Sequence, residues 1–247
     1  MKTLLVFGTQ RSGHHAIIHW VARNMTDGVV FYNDCDLKAF LTGRRVYRGK
    51  YKLRKFALAG QDTTHEIYNF EDININQHPK VLESPLIHDY HKTIIPIRDV
   101  YNMVASSIKS TPNNTKQRVQ KRVRRWTEQV EEVLGLTGHV PEGKKVFVSY
   151  NLWVEDREYR DIMAMALGFK NQDIGVDTIS PYGGGSSFNN HGGDASKLKV
   201  FERYRDYLDN DIFNSVITGK VDDLNRQLFG FDIKDLRDGY YKPYNHT

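Results

Sequence analysis

KTLLVFGTQRSGHHAII, residues 2–18, decides how the rest of the chain is read. Its opening is a nearly unbroken apolar run closed by Gly8, the pattern of a strand buried on both faces of a parallel sheet. Ile17, Ile18, Val21, Ala22 and Met25 then recur at helical spacing until Gly28. The G-x-x-x-x-G pair Gly8 and Gly13 therefore sits in a turn between a strand and a helix. Such a turn points backbone N–H groups outward at the positive end of the helix, worth about half an elementary charge, and makes an anion site. Arg11 adds a forked, permanently charged donor. A nucleotide hydrolase needs a lysine after the second glycine for the β- and γ-phosphates, then a hydroxyl for magnesium. His14 and His15 occupy those positions. No clear acidic partner for a metal follows the later strands, so no metal is expected.

At 247 residues, with a hydrophobic share of 39% and a charged share of 26%, the chain has the composition of a soluble globular protein. One domain spanning 1–247 is expected, since no internal repeat or linker interrupts it. No run of about 18 apolar residues exists to span a membrane. The N-terminal apolar run is too short for a secretory core. A single cysteine, Cys35, excludes an intramolecular disulfide and suits a reducing compartment, so a cytoplasmic location is expected. The formal charge of +5 points to an anionic partner. RRVYRGKYKLRK, residues 44–55, holds seven basic residues and no acid, and KQRVQKRVRRW, residues 116–126, holds six more. Either run also suits a merely solvated face.

Further strands are expected at Val29–Tyr32, Lys80–Leu82, Thr93–Ile97 and Lys145–Ser149. Helices are expected from Val100 to Ile108, capped by Asp99, and over Lys116–Leu134, Glu155–Leu167, Leu198–Leu208 and Val221–Phe229. Residues 33–79 read as a polar, basic insertion, and SPYGGGSSFNNHGGD, residues 180–194, as a mobile loop that can act as a lid. The alternation implies an α/β three-layer sandwich on a central, mostly parallel sheet.

QRSGHHAI, residues 10–17, resembles the 5′-phosphosulfate loop of the PAPS-dependent sulfotransferases, whose fold is P-loop NTPase-like. IIPIRDVYNMVASSI, residues 94–108, resembles that family's 3′-phosphate motif, an arginine at a strand end and a serine eight positions on: Arg98 and Ser106. VFVSYNLW with the helix ending Leu-Gly, and the Gly-rich loop before a basic helix, are weaker likenesses. The resemblance implies 3′-phosphoadenosine 5′-phosphosulfate (PAPS) as donor and adenosine 3′,5′-bisphosphate (PAP) as product. It implies that Gln10, Arg11, Ser12, Gly13, His14, His15, Arg98 and Ser106 bind the nucleotide. Arg11 and His15 would act at the departing phosphate. The family's paired threonines are His14 and His15 here, and the aromatic residue that stacks on adenine is Ala16. Trp20, one turn on, suits either that stacking or the core.

In the family a base stands two residues before a proline at the end of the third strand. VLESPL, residues 81–86, puts Glu83 there. Asp34, at the end of the second strand, is a competing base; His88, His91 and the loop residue His191 are weaker ones. Basic and aromatic residues around Tyr47 and Tyr51, with the basic helix face, suit an acidic polysaccharide or a nucleic acid; no nucleic-acid module accompanies them, so a carbohydrate or glycolipid acceptor is expected. A phosphotransferase with an atypical loop and a non-enzymatic polyanion binder stay open. The residues leave the oligomeric state undetermined.

Overall fold

The computed structural model describes residues 2–25, 27–45, 54–56, 63–110, 116–179 and 198–239. Among them one six-stranded sheet has the order β3-β2-β4-β1-β5-β6. Its members are β1 (Lys2–Val6), β2 (Gly28–Tyr32), β3 (Arg54–Phe56), β4 (Thr63–Asn69), β5 (His91–Ile97) and β6 (Lys145–Ser149). All neighbours pair in parallel except β3, which runs antiparallel to β2 at the edge. This is the α/β fold the alternation implies.

The period of two sorts side chains between the sheet faces. Leu5, Phe7, Val30, Tyr32, Tyr68 and Phe70 join one apolar cluster, and Leu4, Val6, Val29, Phe31 and Ile67 the other. The first face is covered by α2 (Leu37–Leu41), α3 (His78–Leu82), α4 (Val100–Lys109), α5 (Lys116–Val133), α8 (Asp211–Val216), α9 (Gly219–Phe229) and α10 (Ile233–Arg237). The second carries α1 (His14–Asn24), α6 (Tyr150–Glu155) and α7 (Arg157–Leu167). No helix among the described residues is long and apolar enough to cross a membrane.

Three expected elements differ. Lys80–Leu82 is not a strand: it lies in α3, which a proline opens at its first turn. The missing parallel strand is β4, inside the supposed insertion and between β1 and β2. Its polar sequence, TTHEIYN, disguises a central strand. Buried Glu66 is tolerated there because Tyr32 and Tyr68 donate to its oxygens at 3.3 and 2.9 Å, and Arg45 at 3.0 Å. Glu155–Leu167 is split: Asp156 leaves the helical region (φ −114°, ψ 115°) and its carboxylate caps α7. Within Leu198–Leu208 only a 3₁₀ turn forms, Arg203–Tyr207. The Gly-rich stretch with His191, and Tyr47 and Tyr51, lie outside the described residues.

From β1 the chain moves to β2, β3 and β4 on one side, then crosses to β5 on the other. The carboxyl ends of β1 and β5 therefore flank the switch point where open α/β sheets bind ligands.

Candidate functional site

Residues 8–13 leave β1 and open α1. Gly8 is required because a Cβ there would stand 2.7 Å from Cγ of the His14 ring. Gly13, the N-cap of α1, has φ +83°, and a Cβ on it would come within 2.2 Å of the Tyr150 ring. Gly13→Ala is expected to lower stability by about 2–5 kcal/mol through the left-handed backbone and that clash. Thermal denaturation checks this; a melting point unchanged from the wild type would show that the loop shifts freely.

The loop is tied down from outside. Thr9 Oγ1 donates to Gln129 Oε1 at 2.9 Å, while Gln129 Nε2 donates to the Phe7 carbonyl at 3.0 Å. Asp72 Oδ1 accepts from the Gln10 N–H at 2.9 Å, and the Asp72 N–H reaches the Gly8 carbonyl at 2.9 Å. No side chain caps α1 and no acid sits in its first turn, so no carboxylate of the helix itself competes for its leading N–H groups.

Arg11 holds a left-handed backbone (φ +73°), and its guanidinium makes no hydrogen bond to protein among the described residues. Burial, then the neighbouring Arg122, lowers its proton affinity. Arg98 ends β5 almost fully buried. It donates to the Val200 carbonyl, lies 5.2 Å from the Tyr150 ring centroid and stands 3.9 Å from the Asp99 carboxylate. Trp126 Nε1 donates to the Arg98 carbonyl at 2.8 Å. Ser106 does not meet Arg98 directly: Arg203 donates to its Oγ at 3.3 Å. Burial pushes Arg203 down to about 9, with Arg98 and then Arg11 adding repulsion and Tyr150 opposing it. Arg203, repelled by both Arg98 and Arg11 near the start of α1, gives the site a positive character suited to an anion.

The His14 and His15 rings lie side by side, centroids 4.0 Å apart and tilted by 38°. Burial is the main reason both sit below the usual histidine range. His15 Nε2 and Asn69 Nδ2 both meet Asn33 Oδ1 at 2.9 Å. Ser12 Oγ lies 3.4 Å from His14 Nδ1. Gln10 accepts from Arg122 through Oε1.

Beside the histidines lies a residue the sequence analysis passed over. Glu71 follows β4, with Oε1 3.7 Å from His14 Nε2. Burial, then Asp72 and Asp34, pushes its carboxyl up to about 8, against the pull of Arg11 and Arg122. Asp34, whose charge adds to that push, holds a left-handed backbone, φ +48°. Glu83 is exposed at the C-terminal end of α3, and no contact joins it to the loop. The helix in place of the expected strand is the reason. His88 stands 3.6 Å from Glu66, and His91 lies 3.3 Å from the His88 carbonyl, so both belong to the strands' lower ends. Trp20 is core: it packs edge-on against Trp153 and Phe169 and donates to Asn171.

His14, His15 and Glu71 offer donor atoms within 4.8 Å of one another, near enough to close on a metal ion. The positive end of α1 and the buried Arg11 oppose a cation and favour an anion in the same space. Arg203 and Glu71 are what sequence reasoning missed. The only available signals were a basic residue after the Gly-rich stretch and an acid after a polar strand.

No family model matches the sequence, and no curated protein matches it either. Among solved structures, the chain is similar to the sulfotransferase domain from the Synechococcus PCC 7002 olefin synthase. The identity is 16%, the TM-score 0.42, with 69% of this chain and 60% of that chain covered. It is likewise similar to the sulfotransferase domain from the curacin biosynthetic pathway, at 12% identity and TM-score 0.42, covering 68% of this chain and 62% of that one. The match spans less than two thirds of either domain, and both structural neighbours are sulfotransferase domains.

Proposed function

We propose that this chain, as one domain, transfers a sulfuryl group from PAPS to a hydroxyl of a carbohydrate. The observation that carries the reading is the convergence of Arg11, Arg98 and Arg203 on the adjoining ends of β1 and β5. Two anion grips on neighbouring strands suit a nucleotide phosphorylated at both ends of its ribose. The residues after Gly13 are histidines, so the loop lacks the lysine and magnesium-binding hydroxyl that a γ-phosphoryl requires. A sulfuryl group carries one negative charge and manages without them.

In this reading Gly13, His14, His15 and the first N–H groups of α1 hold the 5′-phosphate, flanked by Gln10 and Ser12. Arg98, Arg203 and Ser106 hold the 3′-phosphate. The acceptor oxygen attacks sulfur opposite the bridging oxygen. The bond from sulfur to that oxygen breaks, and its electron pair leaves on PAP beside Arg11. The acceptor's proton passes to Glu71, which takes the role expected of Glu83 because it stands at the loop. Cys35, a buried thiol that donates to the Tyr32 carbonyl, is consistent with a cytoplasmic location.

Thermal denaturation with PAP and with magnesium ATP tests the donor. PAP at about a hundred times its dissociation constant is expected to raise the melting point by about 5–10 °C, with magnesium ATP giving less. A shift with magnesium ATP alone would move the reading to a phosphotransferase. Indifference to both would leave a polyanion binder.

A further inference from the structure

Arg122 stands on α5 and reaches the β1 loop from outside it. One terminal nitrogen, Nη2, donates to Gln10 Oε1. The Gln10 N–H donates in turn to Asp72 Oδ1 at 2.9 Å. Gln10 adjoins Arg11 in the chain and Asp72 adjoins Glu71, so this bridge sets Arg122 beside both residues assigned to the ends of the reaction. Both respond to its charge: Arg122 lowers the proton affinity of Arg11 and pulls against the upward push on Glu71.

The other terminal nitrogen, Nη1, is buried and meets no acceptor. Asp72 and Glu71 attract Arg122, yet neither bonds Nη1. Asp72 is committed elsewhere, through Oδ1 to the Gln10 N–H and through its carbonyl to Arg125. Arg125, one turn along the same helix, is by contrast taken up by Glu128 at 2.6 and 2.9 Å. A guanidinium N–H shut away from water without an acceptor is costly, and it points to a guest that brings one.

The chemistry says which part of the guest that is. In an in-line transfer the acceptor oxygen and the bridging oxygen lie on opposite sides of sulfur. The outer sulfuryl oxygens are arranged around the line joining them and share one negative charge. With Glu71 at the acceptor end and Arg11 at the departing end, a cation beside both faces those outer oxygens.

We propose that Arg122 recognises the loaded donor: Nη1 donates to an outer oxygen of the sulfuryl group while Nη2 keeps its hold on Gln10. The assignment rests on the sulfuryl-transfer reading. No bond to Arg122 forms or breaks, and the oxygen it holds travels with sulfur to the acceptor. PAP has no such oxygen, so Arg122 favours the loaded donor over the spent carrier, and specificity here is a difference between two affinities.

Calorimetric titration of the full chain with PAPS and with PAP, in the absence of acceptor, tests this. Arg122→Met removes both contacts, and Arg122→Lys keeps the charge but has one nitrogen for two partners. Arg124→Met removes an exposed charge two residues away, which points to another side of α5. The wild type is expected to bind PAPS more tightly than PAP. Arg122→Met loses about tenfold or more on PAPS and less than about threefold on PAP. Arg122→Lys loses about threefold or more on PAPS alone, and it carries the comparison if Arg122→Met does not fold. Arg124→Met changes both by less than about twofold. Equal losses on PAPS and PAP would overturn the proposal and make Arg122 a support of the loop through Gln10. So would no loss on either, or an equal PAPS loss in Arg124→Met. A wild type that binds neither nucleotide would sink the donor reading itself, whereas PAP binding with equal losses sinks the Arg122 assignment alone.

Discussion

Glu71→Gln lowers the transfer rate constant about 10²–10⁴-fold, the range by which a positioned base speeds a proton transfer. The substitution keeps the shape of the side chain and removes only its ability to accept the acceptor's proton. PAP affinity changes little, because the nucleotide grips are built by other residues. Single-turnover measurement with labelled donor separates the two quantities. An unchanged rate constant would remove Glu71 from the chemistry. The wild-type profile follows from the same environment: with its carboxyl pushed up to about 8, Glu71 is mostly protonated at neutral pH, so the rate climbs as pH rises through about 8.

The same group shapes stability. Its folded-state affinity for a proton exceeds the unfolded one, so the folded state binds more protons between the two ranges, and stability falls as pH rises. Glu71's contribution is fully present below the usual carboxylate range and is lost as pH climbs through about 8. Glu71→Gln therefore flattens that alkaline decline and melts higher than the wild type at pH 8. Equal slopes in both proteins would show that the carboxylate is better solvated than its burial implies.

Arg11→Ala lowers kcat about 10²–10³-fold, the typical effect of losing one preorganised donor to developing negative charge. The fold tolerates the change well. Arg11 makes no hydrogen bond to protein among the described residues, so truncation orphans no partner. If its contact strengthens only as the phosphate departs, kcat and kcat/KM fall together. Arg11→Lys recovers part of the loss, restoring charge without the fork. A rise in KM with kcat intact would instead make Arg11 a ground-state anchor for the donor.

Much of this site can be read in the sequence because it is built on regular elements. The apolar run of β1, the helical spacing of α1 and the strand-to-cap step at Arg98 and Asp99 each follow a single period, and burial enforces that period. Glu71 was invisible for the opposite reason. It follows β4, whose His65 and Glu66 break the apolar pattern, and only long-range partners such as Asp27 and Arg45 make those residues acceptable inside. With that strand unseen, the motif that names a base settled on Glu83 in a proline-initiated helix. Arg203 escaped because a 3₁₀ turn carries no helical stripe, and its proximity to Ser106 joins residues ninety-seven positions apart. Charge placement was thus legible where it rides on secondary structure and illegible where tertiary contacts alone create it.

One strut sets the spacing of the two grips. Trp126 and Gln129, three residues apart on α5, fasten respectively the backbone of Arg98 and the β1 loop. Their offset along the axis is about 4.5 Å, fixed by the rigid rise of a helix. The fold therefore works as a preset caliper: the gap exists before any guest arrives, and little disorder has to be frozen out on docking. Such a gauge rejects carriers by length. Under the donor reading, a nucleotide with an extra phosphate on its 5′ chain is expected to bind more weakly than PAP, which the melting comparison of PAP with magnesium ATP checks.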